Sequence, residues 1–69
     1  MEIIGEIQKN QKEKIIVSVN EFKGHRYVDL RIHFEGDDGE YVPTKKGIAI
    51  SSKIVEEVVE LIVQGAESL

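Results

Sequence analysis

The stretch Tyr27-Val28-Asp29-Leu30-Arg31-Ile32-His33-Phe34 decides the fold. Apolar side chains occupy every second position from Val28 to Phe34, and polar or aromatic side chains fill the positions between. Successive side chains of a β-strand point to opposite faces of a sheet. This period of two therefore predicts a strand with one face in a core and the other facing water or a ligand.

Two segments before this stretch are also predicted to be strands. Residues 14–21 alternate apolar and polar side chains, with Ile15 and Val17 on the apolar face. Residues 2–8 are short and rich in isoleucine, and the polar residues 9–12 separate the two segments. That arrangement predicts a hairpin.

A fourth strand is predicted after the stretch. Residues 35–40 have turn chemistry, in which Asp38-Gly39 is a strong hairpin signal. Residues 41–50 follow, and Pro43 and Gly47 interrupt them. The middle of that strand should therefore be irregular or lie at an edge of the sheet.

The hydrophobic period changes after the fourth strand. Residues 52–64 carry valine, isoleucine and leucine at helical spacing, which predicts one C-terminal helix. Ser51 or Ser52 can serve as the N-cap, and Gly65 suits the C-terminal stop. The chain is thus predicted to be a single α+β domain over residues 1–69.

The predicted helix has more apolar surface than one small sheet needs. A chain of 69 residues has a marginal core, and without cysteine it has no disulfide to compensate. Contact with a second copy is the favoured explanation, and the alternative is that the sheet curls around the helix. The expected dimer contacts are Val55, Val58, Val59 and Ile62.

Charge and composition exclude several classes of protein. Nine basic residues against 13 acidic ones give a net charge of −4, which argues against an indiscriminate binder of duplex DNA or anionic membranes but not against a local basic groove. No secretory signal or membrane-spanning run is visible, so we expect a cytoplasmic protein.

Catalysis is poorly supported by the sequence. His25 and His33 belong to no recognisable motif, and no nucleophile–base pair or phosphate-binding glycine loop is present. Residues 35–40 lack the ligand spacing of a calcium loop and are better explained as a solvated turn. We therefore expect a non-enzyme with no metal and no cofactor.

Nucleic-acid binding has better support. Phe22-Lys23-Gly24-His25 sets an aromatic ring beside a cation and a flexible glycine. Arg31 shares the non-core face of its strand with Tyr27 and His33, and Lys45-Lys46-Gly47 sets two cations beside a second glycine. Single-strand binding needs such a combination, because aromatic rings stack on bases and cations follow the phosphates.

Several of these segments share one order and spacing with a known family. They are Val17-Ser18-Val19-Asn20-Glu21-Phe22-Lys23-Gly24, Val28-Asp29-Leu30-Arg31, Gly39-Glu40 and Pro43-Thr44-Lys45-Lys46-Gly47-Ile48. Over roughly residues 14–62 the chain resembles the transcriptional coactivator family called positive cofactor four. The resemblance implies a curved antiparallel sheet of four strands, with room for an extra N-terminal strand, followed by one helix. It also implies a homodimer that binds single-stranded DNA with little sequence preference, associated with the nucleoid in a bacterial cell.

The resemblance also implies which residues bind DNA. They are Phe22, Lys23, Gly24, His25, Arg31, Phe34, Lys45, Lys46 and Gly47. His25 and Val42 stand where the family has lysine, and Phe34 stands where it has tryptophan, so weaker binding is expected. Simple alternation sets Phe34 on the core face, unless a bulge near residues 34–36 turns it toward the DNA.

Two functions from different classes follow. The first is a homodimeric single-stranded-DNA-binding protein, with RNA binding as a variant and the transcription machinery as a further partner. Four cations, Lys23, Arg31, Lys45 and Lys46, would then meet phosphates and give a log–log salt slope near roughly −3. The alternative is a dimeric protein-interaction module that does not bind nucleic acid.

Overall fold

The fold is an open, curved, four-stranded antiparallel sheet followed by one helix, in a computed structural model that describes residues 1–69. The strands lie in chain order, each paired with the next. The elements are β1 (Glu2–Gln8), β2 (Glu13–Phe22), β3 (His25–Glu35), β4 (Tyr41–Ser51) and α1 (Val55–Glu67). The predicted fold class is confirmed, and the N-terminal segment is one of the four strands rather than an addition to them.

The register gives the sheet an apolar and a polar face. Val17 pairs with Leu30, and Leu30 pairs with Ile48, so the three share the apolar face. The polar face is defined by the residues between these positions. Its polar members are Ser18 and Asn20 on β2 and Asp29, Arg31 and His33 on β3, and the same face carries Ile16, opposite Arg31, and Tyr27, opposite Asn20.

The alternation of the sequence breaks at residues 22–25, which predicts a loop or hairpin there. Phe22 and His25 pair across the β2–β3 hairpin, so the loop itself is only Lys23-Gly24. Both loop residues have a positive φ, 52° for Lys23 and 80° for Gly24. A two-residue loop of this kind matches the twist of the flanking strands.

The irregular middle predicted for the fourth strand is a bulge in β4. Gly47 pairs with Arg31 and Pro43 pairs with His33, so three residues of β4 lie opposite Ile32 alone. No irregularity occurs near residues 34–36 of β3, where a bend was considered. Phe34 therefore stays on the apolar face with Ile32, but it lies near the end of the strand and is 46% exposed, so it is not a core residue either.

The helix differs from its prediction at both ends. It begins at Val55 rather than at residue 52, and Ile54 is an N-cap without a side-chain hydrogen bond. Ser51 instead braces the preceding turn, because its hydroxyl accepts the Lys53 N–H at 3.2 Å. The helix also continues through Gly65 to Glu67, at a cost of about 1 kcal/mol for a glycine in a helix interior.

The helix makes almost no contact with the sheet of its own chain. None of its residues is buried, and across the whole chain only Ile16, Ser18 and Ile50 are. The accessible surface is 5639 Å², whereas a compact monomer of 7.8 kDa exposes about 4,370 Å². The chain therefore leaves roughly 1,300 Å² more surface open than its size requires. The helix is neither long nor apolar enough to cross a membrane.

Candidate nucleic-acid interface

A cleft of about 500 Å³ lies on the polar face of the sheet. Arg31, Asp29 and His33 line it from β3, and Tyr27 lines it further along the same strand. The other lining residues are Met1, Ile3, Ile16, Ser18, Asn20, Tyr41 and Pro43. The lining mixes aromatic rings with groups that donate and accept hydrogen bonds, which suits unstacked bases better than a row of phosphates.

Arg31 is held firmly at the floor of this cleft. Its Nε and Nη2 donate to the two carboxylate oxygens of Asp29 at 3.1 and 2.8 Å, and its Nη1 donates to the Thr44 carbonyl oxygen at 3.2 Å. The side chains of Asp29 and Arg31 are 15% and 25% exposed. Hydrogen bonding to Asp29 raises the pKa of the Arg31 guanidinium above its usual value, so the cation is permanent but already compensated.

Gly47 makes room for that guanidinium. It is the direct partner of Arg31 across the strands, so a side chain there would point to the same face. A Cβ added at Gly47 would lie 3.0 Å from Arg31 Cζ and would overlap the Leu30 carbonyl oxygen. Glycine is therefore required here by the close approach of the two strands.

Lys45 and Lys46 project from the bulge beside Arg31. Both are exposed, and neither has an ion-pair partner within 4 Å. Lys23, at the hairpin, is unpaired in the same way. These three predicted cations differ from the lysines of the β1–β2 hairpin, because Lys9, Lys12 and Lys14 each pair with a glutamate; their partners are Glu13, Glu35 and Glu6.

The structure brings some predicted site residues together and separates others. Arg31, Gly47 and the two bulge lysines form one group. Phe22, Lys23, Gly24 and His25 form a second group, about six residues or roughly 20 Å away along β3. Phe34 lies beyond Arg31 in the opposite direction and on the apolar face, so it does not share the cleft.

Three residues of the site were missed from the sequence. Asp29 could have been found, because residues two apart on one strand share a face and Asp29 is therefore a neighbour of Arg31. Tyr41 lines the cleft, and the Lys14 ammonium lies 4.3 Å from its ring centroid. Thr44 had no signal in the sequence, since its contacts depend on the bulge.

Two further unpaired cations lie near the start of the helix. Arg26 and Lys53 line a separate crevice of about 330 Å³ beside the start of the helix. Val19, Val28 and Val55 form its apolar wall. No group of three His, Asp or Glu side chains in the chain is arranged to hold a metal ion.

The chain is similar to known proteins in both sequence and structure. Residues 9–61 match the family model described as transcriptional coactivator p15 (PC4). The fold matches crystal structures of BPSL1147, a PC4 homolog from Burkholderia pseudomallei K96243, in tetragonal and orthorhombic forms. In both comparisons the sequence identity is 31% and the TM-score is 0.86, and the match covers 94% of this chain. It covers 96% of the relative's chain in the tetragonal form and 88% in the orthorhombic form. No curated protein sequence matches the chain.

Proposed function

Because the chain belongs to the family of transcriptional coactivator p15 (PC4), we propose that it is a homodimeric protein that binds single-stranded DNA with little sequence preference. Family membership supports a DNA-binding, coactivator-type role in general and makes a non-enzymatic one plausible. The observation that carries the finer proposal is the β4 bulge. It presents Lys45 and Lys46, neither with an acidic group within 4 Å, directly before Gly47, the cross-strand partner of Arg31.

The net charge of −4 does not conflict with this proposal, because four of the 13 acidic residues lie on α1, which makes almost no contact with the sheet that carries the lysines. Four acidic side chains are used in ion pairs with Lys9, Lys12, Lys14 and Arg31. Lys23, Lys45 and Lys46 have no acidic group within 4 Å, so their charges stay available for phosphates. A strand would pass its phosphates along these lysines and its bases toward the cleft and the exposed ring of Phe22, which is 64% exposed.

A dimer is supported by the exposed apolar surface. About 1,300 Å² of surplus surface on each chain would give an interface of roughly 2,600 Å² in total, which is the size of obligate homodimer interfaces. Helical spacing of 100° per residue spreads the apolar side chains of α1 over an arc of about 200° centred near Val55, Val59 and Ile62. We propose this arc, including Val58, as the dimer contact.

The cellular role of such a protein would be in the cytoplasm at the nucleoid. Transcription, replication and repair all expose single strands, and the transcription machinery is the partner that the family name favours. RNA binding is a variant of the same proposal, because stacking and phosphate contacts do not by themselves distinguish the two sugars.

We expect fluorescence anisotropy to show tighter binding to a labelled twenty-base single strand than to the matching duplex, with affinity falling as salt rises. Arg31 is compensated by Asp29, so three lysines per protomer should release counterions and give a log–log slope of about −2, rather than the −3 of four free cations. A slope near zero with measurable binding would contradict the phosphate mechanism.

The double variant Lys45→Ala with Lys46→Ala identifies the surface used. It should weaken binding about tenfold or more and reduce the slope to about −0.7. Lys9→Ala with Lys12→Ala is the matched control, since it removes the same charge from lysines that are already paired with glutamates. An equal loss of DNA affinity in the two double variants would indicate a general effect of charge rather than a specific binding site.

The alternative function is a dimeric protein-interaction module without nucleic-acid binding. The observation that favours it is the exposed apolar helix, where Leu61 is 65% and Ile62 56% exposed. Absence of binding to either DNA at low salt would support this alternative over single-strand binding.

A substitution at Lys23 should affect folding stability and DNA affinity differently. It has a φ of 52°, in the left-handed region that asparagine and glycine adopt more readily than lysine. Lys23→Asn would give the Asn-Gly loop preferred in two-residue hairpins, so stability should be kept or rise by a few tenths of a kcal/mol. Binding should weaken several-fold because a phosphate partner is lost. Thermal unfolding and anisotropy on the same sample test both, and unchanged affinity would remove Lys23 from the site.

A further inference from the structure

The bulge in β4 is braced by one side chain. Where the pairing of β4 with β3 is interrupted, the Thr44 hydroxyl donates to the Ile32 carbonyl oxygen at 2.7 Å. The same hydroxyl oxygen accepts the Lys46 N–H at 3.2 Å. A hydroxyl can donate once and accept as well, so both bonds form together. Thr44 thereby ties the backbone of the lysine pair to the neighbouring strand.

The backbone of Thr44 holds Arg31, the third cation of this group beside Lys45 and Lys46. Its carbonyl oxygen accepts from Arg31 Nη1 at 3.2 Å, opposite the side on which Asp29 takes Nε and Nη2. A guanidinium has five N–H donors, so two of the five on Arg31 stay free for a ligand. Arg31 is thus held from two sides, with its guanidinium next to the space left by Gly47.

Thr44 is itself partly buried, whereas the two lysines that follow it are exposed. A residue with this placement can set the direction of its neighbours without contacting a ligand. Fixing the binding groups before the ligand arrives reduces the entropy lost on binding. A bulge without the hydroxyl bonds would leave the lysine backbone to be ordered by the DNA.

We propose that Thr44 is the positioning residue of the DNA-binding surface, and that its hydroxyl and carbonyl hold Arg31, Lys45 and Lys46 in one arrangement. This inference rests on the proposed single-strand binding. In this proposal Thr44 itself does not contact the DNA.

Thr44→Val and Thr44→Ser test the hydroxyl directly. Valine keeps the shape and removes both hydrogen bonds, and serine keeps the hydroxyl. We expect Thr44→Val to bind the twenty-base strand roughly tenfold more weakly than the wild type, and Thr44→Ser to bind within about twofold of it. The salt slope should stay near about −2 in both, because no cation is removed.

A combined variant separates positioning from simple destabilisation. In the Lys45→Ala, Lys46→Ala background, Thr44→Val should cost much less than its tenfold effect in the wild type, since the groups that it positions are gone. An equal tenfold loss in that background would overturn the inference. So would tenfold weaker binding by Thr44→Ser.

Amide hydrogen exchange measured by NMR on the free protein adds a readout that needs no DNA. The Lys46 amide should be protected in the wild type and in Thr44→Ser, and should exchange fast in Thr44→Val. Fast exchange in the wild type overturns the inference even if Thr44→Val does not fold. If the wild type binds DNA and Thr44→Val binds equally well, only the role of Thr44 is overturned. If the wild type binds no DNA, the proposed function is overturned, and the role of Thr44 in binding with it.

Discussion

Gly47→Ala is expected to destabilise the protein by about 3 kcal/mol or more and to abolish measurable binding to single-stranded DNA. The added methyl group would overlap the Leu30 carbonyl oxygen and lie 3.0 Å from both Cα and Cζ of Arg31. A backbone carbonyl cannot rotate away as a flexible side chain can, so β4 must shift from β3. That shift would displace Arg31 and the bulge lysines together.

Gly5→Ala is the matched control for this substitution. Gly5 also lies in a strand, but a Cβ added there meets nothing within 4 Å. Alanine at that position should be neutral or slightly stabilising, because glycine weakens a strand interior. Thermal or urea unfolding of both variants gives the comparison. A Gly47→Ala protein as stable as the wild type would show that the close approach of the two strands is not required.

Val59→Glu is expected to convert a dimer into a monomer. Val59 is 52% exposed in the isolated chain, so a charge there does not disturb the protomer. In a two-fold symmetric dimer the same charge enters the interface twice. At about 4 kcal/mol for an unpaired buried charge, dimer affinity should fall at least about a thousandfold. Light scattering should give a mass of 7.8 kDa for the variant and twice that for the wild type.

Gln64→Glu is the control for charge alone. At 100° per residue, Gln64 lies on the side of α1 opposite Val59, so it introduces the same side chain outside the proposed contact. That variant should remain a dimer with the melting temperature of the wild type. A wild type of 7.8 kDa at micromolar concentration would overturn the dimer itself, whatever the variants do.

Much of the fold could be predicted because the signals are local. Alternation in residues 27–34 predicted β3, and Asp38-Gly39 predicted the turn before β4, where Gly39 has a φ of 83°. The family predicted from the motifs is confirmed by the match over residues 9–61. The ends of the helix were less predictable, because the hydrogen bonds of the preceding turn displaced the expected serine cap.

The site was predictable as a set of residues but not as an arrangement. Lys45, Lys46 and Gly47 were found from their types and order. Whether a cation is available to a phosphate depends on which acid lies beside it. The sequence predicts Arg31 as an available cation, whereas in the structure it donates two hydrogen bonds to Asp29. Phe34 was expected in the core unless a bulge near residues 34–36 turned it toward the DNA; no bulge occurs there, and Phe34 lies on the apolar face near the strand end, 46% exposed.

The sequence by itself determined the strands, the helix and the family, because alternation, turn chemistry and motif spacing each act over a few neighbouring residues. Only the tertiary structure decided that Thr44 braces the lysine bulge, that Gly47 lies beneath Arg31, and that the helix leaves its own sheet uncovered. The first two features depend on the register between β3 and β4, and that register is set by the bulge opposite Ile32. A shift of one residue in the pairing of β4 with β3 would exchange the two faces of β4. The site residues would then be separated, although the sequence is unchanged.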